Sequence, residues 1–268
     1  MKRVDFRGAT VIVTGASSGI GRSIAKRLID KYASKIIAIA RGEERLLAVK
    51  SELGDKGENY IPYPMDVTVL ENWRALADFL KKNDTVPLVL INCAGVLPKF
   101  ERFESVDIEK AKQVLDLNFY SVLYSVKEIA PLLPRGGAIA NISSASALCP
   151  FGMVSMYSAS KAACERFSES ISCEYRDISV STVMPGFVRT DIMKNQEINE
   201  RDKGLINLFS ARSDKVAKKI VNKIRKRRRR IITGMDAHLM NFMFKFFPRK
   251  APRIISWFLK KSGIEMFK

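Results

Sequence analysis

Thr14-Gly15-Ala16-Ser17-Ser18-Gly19-Ile20-Gly21 constrains this chain more than any other stretch. A short apolar run, Ala9 to Val13, leads into it. A helical pattern follows, with Ile24, Leu28 and Ile29 apolar and Arg22, Lys26 and Arg27 polar. Strand, glycine-rich turn and helix, in that order, aim the first amides of a helix at an anion. Glycine allows both the tight turn and the close approach of a ligand. The spacing is GxxxGxG, not the more frequent GxGxxG. With fitting elements on both sides, it reads as a pyrophosphate loop contacted through Gly15, Ser17, Ser18, Gly19, Ile20 and Gly21.

The alternation continues. Strands are expected at Lys35 to Ala40, Asn59 to Met65, Val86 to Ile91, Gly137 to Ile142 and Ser179 to Met184. Helices are expected at Glu43 to Leu53, Glu71 to Lys82, Ile108 to Leu133, Met153 to Tyr175 and Asp214 to Arg225. Strand and helix alternating at this spacing predict an α/β fold, a doubly wound parallel sheet of the Rossmann type in a single domain over residues 1–234. Ligands of such sheets sit at the carboxyl ends of the strands. Gly15, Arg41, Asp66, Asn92, Ser144 and Pro185 all fall at those ends. The second strand ends at Ala40-Arg41, where a carboxylate would hold a ribose 2′-hydroxyl. A guanidinium there instead suits a 2′-phosphate, so the expected cofactor is NADP(H).

Tyr157 stands four residues before Lys161 within a helical run, which places both on one helix face. An ammonium group one turn away favours the ionised form of a phenol. Spacing alone is weak evidence for catalysis; its place after a strand ending in Ser143-Ser144 strengthens it.

The chain resembles the single-domain short-chain dehydrogenase/reductase family over roughly residues 8–234. Thr14 to Gly21 resembles the family's TGxxxGIG loop, and Tyr157-Ser158-Ala159-Ser160-Lys161 its YxxxK motif. Asn92-Cys93-Ala94-Gly95 resembles its NNAG stretch, with Cys93 replacing the second asparagine. The resemblance implies catalytic roles for Asn118, Ser144, Tyr157 and Lys161. Tyr157 would act as the proton donor or acceptor and Ser144 would polarise the carbonyl. Lys161 would act on Tyr157 and the nicotinamide ribose, and Asn118 would hold a water that links Lys161 to solvent. It further implies cofactor contacts from Asp66, Val67, Asn92, Ala94, Gly95, Pro185, Gly186, Val188 and Thr190, besides Tyr157 and Lys161.

The substrate side is less explicit. Leu97, Phe151 and Phe187, with Ser144, are the expected pocket residues, near Val96, Cys149 and Met153. Phe187 to Asn207 is where a substrate lid is expected, extending into Leu208-Phe209. An apolar lining favours a lipophilic carbonyl or alcohol; the resemblance to tail-bearing members of the family makes steroid, sphingoid and fatty-acyl types compatible. A soluble reductase of small carbonyls with an oligomerising tail, and a cofactor-binding regulator without turnover, stay open as alternatives. No metal-ligand spacing is present, and Cys93, Cys149, Cys164 and Cys173 are expected to be free buried thiols.

The net charge of +18 is uneven. From Arg212 onward the chain carries 18 Lys/Arg against three Asp/Glu, which leaves the first 211 residues near neutrality. Part of this is the run Arg225 to Arg230, expected to be a helix end entering a last strand rather than a nucleic-acid site. The rest lies in residues 235–268, a basic and aromatic extension expected to be amphipathic helix. There His238, Asn241 and Lys245 would form a polar stripe opposite Leu239, Phe242, Met243 and Phe246. No apolar run reaches the ~20 residues needed to span a bilayer. The tail suits an anionic membrane surface; a cap over the substrate pocket and a dimer contact stay open. The first residues have no apolar segment of signal-peptide type. The expectation is a cytoplasmic homo-oligomer, peripheral on the membrane through the tail.

Overall fold

The computed structural model describes residues 2–32, 34–193 and 210–262, together with Gln196, Asn199, Arg201, Asp202, Gly204, Ile206 and Ile264. Seven strands form one parallel sheet: β1 (Thr10–Thr14), β2 (Lys35–Ala40), β3 (Tyr60–Pro64), β4 (Pro87–Asn92), β5 (Ala138–Ile142), β6 (Ser179–Pro185) and, last in sequence, Arg230–Thr233. Their spatial order places β3, β2 and β1 on one side, then β4, β5, β6 and the last strand on the other. The chain therefore reverses direction across the sheet between β1 and β4. A crevice opens at such a switch point, outside the carboxyl ends of those strands. The central strands β4, β5 and β6 are almost wholly buried, as expected of strands covered on both faces.

Helices α1 (Gly19–Tyr32), α2 (Glu43–Glu52), α3 (Leu70–Lys82), α4 (Ile108–Leu115), α5 (Ser121–Ile129), α6 (Ala145–Leu148), α7 (Ser155–Glu174) and α8 (Ser213–Arg225) complete the doubly wound domain. Apolar faces at helical spacing bury them: Ile24, Leu28 and Ile29 of α1 and Val216, Ile220 and Ile224 of α8 on one side of the sheet. Trp73, Leu76 and Leu80 of α3 and Val122, Val126 and Ile129 of α5 pack on the other. A short parallel pair, β7 (Val188–Arg189) and β8 (Ala211–Arg212), ties the two ends of the segment between them; the last sheet strand is β9.

Two features, the long helix and the cysteines, depart from the sequence reading, and a third, the basic run, extends it: the helix ends at Arg225 and the last strand begins at Arg230 as expected. The helix expected to run unbroken from Ile108 to Leu133 widens into a π-turn at Asp116–Tyr120 and tightens to a 3₁₀ turn at Ala130–Leu132. The run Arg225 to Arg230 does structural work. Arg227 adopts a left-handed turn (φ 55°) and donates to the carbonyls of Lys2, Gly136 and Gly137 and to Ser179. Arg230 pairs with the buried Glu165 at 3.1 Å. Of the four free cysteines, Cys149 and Cys164 are buried, Cys93 is partly buried and Cys173 is exposed on α7.

The C-terminal extension forms α9 (Met235–Phe246) and α10 (Ala251–Lys261). Neither face of α9 anticipated from the sequence is the packed one. Ala237 and Met240 are buried, with Met243 and Phe244 partly so, against Ala145, Cys149 and Phe151. Leu239, Phe242 and Phe246 point outward, on the same exposed side as His238 and Lys245. Leu259 of α10 and Ile264 beyond it pack with Leu97, Phe100 and Val154. Among the described residues, no helix is long and apolar enough to cross a membrane.

Candidate active site

The carboxyl ends of β1 and β4 open on a cleft of about 420 Å³. Its floor is the glycine loop. Gly15 has φ 66°, and a Cβ there would meet the Ala94 amide nitrogen at 3.0 Å. A Cβ on Gly21 would lie within 2.4 Å of the Gly15 carbonyl oxygen, so helix and loop approach closely only because both are glycine. Thr14 Oγ1 accepts from the amides of Cys93 and Ala94, both at 2.9 Å, which locks the loop to the end of β4. Tyr60 reaches across from β3 to donate to the Ala16 carbonyl. Ser17, Ser18, Gly19, Ile20 and Gly21 line the cleft, as do Val67, Ala94, Gly95, Pro185, Gly186, Val188 and Thr190. Such a narrow trough, with α1 beginning at its edge, fits a dinucleotide pyrophosphate.

One end of the cleft is cationic. Arg41 follows β2, and Arg45 stands one helical turn later at the start of α2; both line the cleft. Asp66 stands just outside the lining, although its neighbours Met65 and Val67 belong to it. Its Oδ1 accepts from the Thr68 amide and hydroxyl. Burial opposes ionisation of this carboxyl, but those two bonds and the Arg41 charge outweigh it and lower its pKa.

The other end holds the reactive groups. Tyr157 and Lys161 share one face of α7, with the Lys161 ammonium 5.9 Å from the Tyr157 ring centre. Lys161 is 4% exposed and donates to the Ile142 carbonyl at 3.0 Å. Ser143 Oγ donates to the Lys161 carbonyl, which joins the end of β5 to α7. Asn118, fully buried in the π-turn, accepts from the Val96 amide at 2.9 Å and donates to the Val96 carbonyl and to Ser160 Oγ, each at 3.0 Å. Ser160 in turn donates to the Tyr157 carbonyl. Asn118 and Lys161 converge on Gly95: a Cβ there would lie 2.9 Å from Asn118 Oδ1 and 3.1 Å from Lys161 Nζ. Ser144 caps α6 through a 3.2 Å bond from the Ser146 amide and also faces the cleft, so it serves both as a helix cap and as a site residue.

Beyond Tyr157 a second cavity of about 80 Å³ opens, lined mainly by apolar side chains. Leu97, Phe151 and Phe187 meet there, with Phe100, Ile206 and Met240. Tyr157, Ser144, Pro185, Gly186, Val188 and Ile192 line both spaces. Tyr157 and Ser144 therefore stand where a polar cleft joins an apolar one.

Residues 9–201 match the family model for short chain dehydrogenase. This chain belongs to the short-chain dehydrogenase/reductase family. It is 36% identical over 203 residues to 11-beta-hydroxysteroid dehydrogenase-like 2 of Arabidopsis thaliana, covering 73% of this chain and 65% of that one. It is 32% identical to NADPH-dependent pterin aldehyde reductase of the same plant, covering 69% and 76%. Among solved structures, a short-chain dehydrogenase from Sphingobium yanoikuyae in complex with NADPH superposes with a TM-score of 0.73 at 26% identity, over 84% of this chain and 87% of that one. The chain spans 57% to 65% of the length of three hydroxysteroid dehydrogenase-type relatives of sesame and Arabidopsis, and 75% of a further Arabidopsis one.

Asn92, expected to contact the cofactor, does not line the cleft. Its side chain donates to Asn141 at 2.9 Å, and Asn141 bonds Ser168, so it braces the sheet under the site. Cys93 does line the cleft, and burial pushes its thiol up to about 12, so it is a neutral wall at neutral pH. Cys149 and Met153 pack in neighbouring apolar clusters and do not line the substrate cavity; Val96 lines the cofactor cleft. Leu205, Asn207, Leu208 and Phe209 of the expected lid lie outside the described residues, as does the Met193 side chain.

Sequence reasoning missed Arg45, Ser146, Asp236 and Met240. Arg45 had a signal, a second arginine four residues after Arg41. Ser146, whose buried hydroxyl has no partner among the described residues, lines the substrate cavity two residues after Ser144. Asp236 and Met240 come from α9 and gave no local sign of reaching the site.

Proposed function

We propose that this oxidoreductase is NADP(H)-dependent and interconverts a carbonyl and a secondary alcohol on a lipophilic substrate. The observation that carries the reading is the position of Tyr157 and Ser144 at the junction of the two cavities. The polar cleft fits a dinucleotide from Arg41 to Tyr157. Arg41 and Arg45, with no carboxylate at the end of β2, support a 2′-phosphate at its far end. The NADPH complex of the Sphingobium relative and the name of the pterin aldehyde reductase agree with that choice. The apolar second cavity supports a hydrophobic substrate, in line with the relative named for hydroxysteroids.

When bound, a nicotinamide would supply a hydride to the substrate carbon or accept one from it, and in the reductive direction negative charge would gather on the substrate oxygen. The Tyr157 hydroxyl donates its proton to that oxygen. The buried Lys161 charge favours the resulting phenolate electrostatically. Ser144 Oγ donates a hydrogen bond to the same oxygen. Asn118 and Lys161, converging at Gly95, form the inner end of the route by which Tyr157 regains its proton. In the oxidative direction the same groups act in reverse.

The tail extends the reading. Leu239, Phe242, Phe246, Ile254, Trp257 and Phe258 are exposed on α9 and α10. Lys245, Arg249, Lys250, Arg253, Lys260 and Lys261 stand among them. An exposed apolar face interleaved with cations fits the interface of an anionic membrane. Docked this way, α9, which contributes Asp236 and Met240 to the apolar cavity, would rest on the source of a lipophilic substrate.

The deciding assay follows NADPH oxidation at 340 nm across lipophilic ketones, for the intact chain and for Tyr157→Phe. Turnover by the former and its loss in the latter, with NADPH still bound, is the expected result. Equal activity of the two would overturn the reading. Trp73 is buried and Trp257 exposed, so tryptophan emission reports docking. A blue shift with anionic vesicles but not neutral ones is expected, and its absence refutes the membrane surface.

A further inference from the structure

Asp236 lies in the first turn of α9, outside the stretch that resembles the family and after the last strand of the sheet. An acid in the first turn suits the helix dipole, which alone would explain it. Its carboxylate, however, turns away from its own helix. One oxygen accepts from the Phe187 amide at 2.6 Å. The other lies between Gly186 and Gly234: a Cβ on Gly186 would come within 2.1 Å of it, and one on Gly234 within 2.3 Å. The carboxylate thus occupies a notch that exists only because both positions are glycine. The Gly186 amide is itself held by the Thr233 carbonyl at 2.8 Å. The turn Pro185-Gly186-Phe187 is pinned from β9 on one side and from α9 on the other.

That turn borders the reaction. Pro185, Gly186 and Val188 line both the cofactor cleft and the substrate cavity, and Asp236 lines the substrate cavity with Met240. A short amide-to-carboxylate bond is among the stronger hydrogen bonds available to a turn. We propose that Asp236 is a positioning residue for the nicotinamide end of the site, and that the C-terminal extension is thereby part of the active site rather than an appendage to it. The inference rests on the reading of the cleft as a dinucleotide site. It deepens that reading by separating two halves: Arg41 and Arg45 serve the adenosine end, and Asp236 serves the nicotinamide end only.

The test compares Asp236→Ala and Asp236→Asn with the unmutated full chain in kcat, in NADPH affinity and in affinity for 2′,5′-ADP, the adenosine half alone. In Asp236→Ala, kcat should fall by about 10- to 100-fold, the scale of a misplacement near 1 Å at a reacting centre. NADPH affinity should fall by about tenfold, with 2′,5′-ADP bound as before. Asp236→Asn keeps an acceptor oxygen without the charge and should be intermediate. It also carries the test if the alanine variant does not fold. Unchanged kcat and NADPH affinity in a folded variant overturn the proposal. So does an equal loss of both ligands, which would mark a merely structural residue. If the unmutated chain turns over no carbonyl, the binding comparison still decides the role of Asp236. If it prefers NADH, the pair becomes NADH and ADP. Failure of the functional reading is thus distinguishable from failure of this one.

Discussion

Gly95→Ala tests the convergence of Asn118 and Lys161 directly. The added methyl would stand 2.9 Å from Asn118 Oδ1 and 3.1 Å from Lys161 Nζ, where ordinary contact begins at 3.4 Å. Asn118 must yield by about 0.5 Å and Lys161 by about 0.3 Å, and a full ångström of misplacement at a reacting centre costs about 100-fold. Neither can yield freely. Asn118 is held by three hydrogen bonds of 2.9 to 3.0 Å, and Lys161 by the Ile142 carbonyl. A half-ångström displacement on that scale corresponds to roughly a tenfold loss of kcat, or about 1.4 kcal/mol of transition-state stabilisation. Overpacking should also lower stability by about 1–3 kcal/mol. The assay is kcat for carbonyl reduction at saturating NADPH, with a thermal melt of the same sample. Gly152→Ala is the control, because a Cβ there would come no nearer than 3.8 Å to its first neighbour, Ser256 Oγ, among the described residues. If Gly95→Ala turns over at the unmutated rate, the Asn118 and Lys161 head groups are not tuned by their contact at Gly95, and the proton route drawn from them fails.

Two further outcomes are expected. Arg41→Ala and Arg45→Ala should each weaken NADPH by about 10- to 100-fold, the worth of a hydrogen bond to a charged group, while leaving NADH unchanged; equal NADPH and NADH affinities in the unmutated chain would refute the 2′-phosphate site. Burial raises the pKa of Glu165 above its ordinary 4.5, against the opposing charges of Arg166 and Arg230. A raised folded-state value means stability that is complete below about 4.5 and is lost as pH rises through the folded value. Denaturant melts should therefore show the unmutated chain losing stability relative to Glu165→Gln as pH rises from 4.5 toward neutrality; a flat or rising difference would contradict this.

Most of the frame was legible because it depends on short-range rules. Short apolar runs and period-3.6 patterns located the elements of the sheet domain, and the glycine loop could be read because Gly15 and Gly21 sit where no other residue fits. Tyr157, Lys161, Ser144 and Asn118 could be placed because they occur at motif positions next to strand ends. What stayed hidden depends on partners distant in sequence. Asn92 looked like a cofactor contact at a strand end, yet Asn141, 49 residues later, draws its amide into the sheet. The buried face of α9 could not be read from its own pattern, because α6 and Phe151 decide which residues it covers. Asp236 gave no sign of its role, since its partner amide lies 49 residues earlier.

The π-turn at Asp116–Tyr120 has a consequence for anyone altering this helix. A π-turn holds one residue more than the α-helix would use for the same advance. Redesigning the same residues to uniform α pitch would leave that surplus residue unabsorbed. It would rotate everything downstream by about 100° relative to what precedes it. Val122, Val126 and Ile129 would swing out of the core as Asn118 left Val96. Ala111 and Val114 before the turn, and those three after it, are in register with the same domain only because the wide turn absorbs that surplus residue. A stabilising redesign that regularised the helix would therefore dismantle the proton route and half the core in one step.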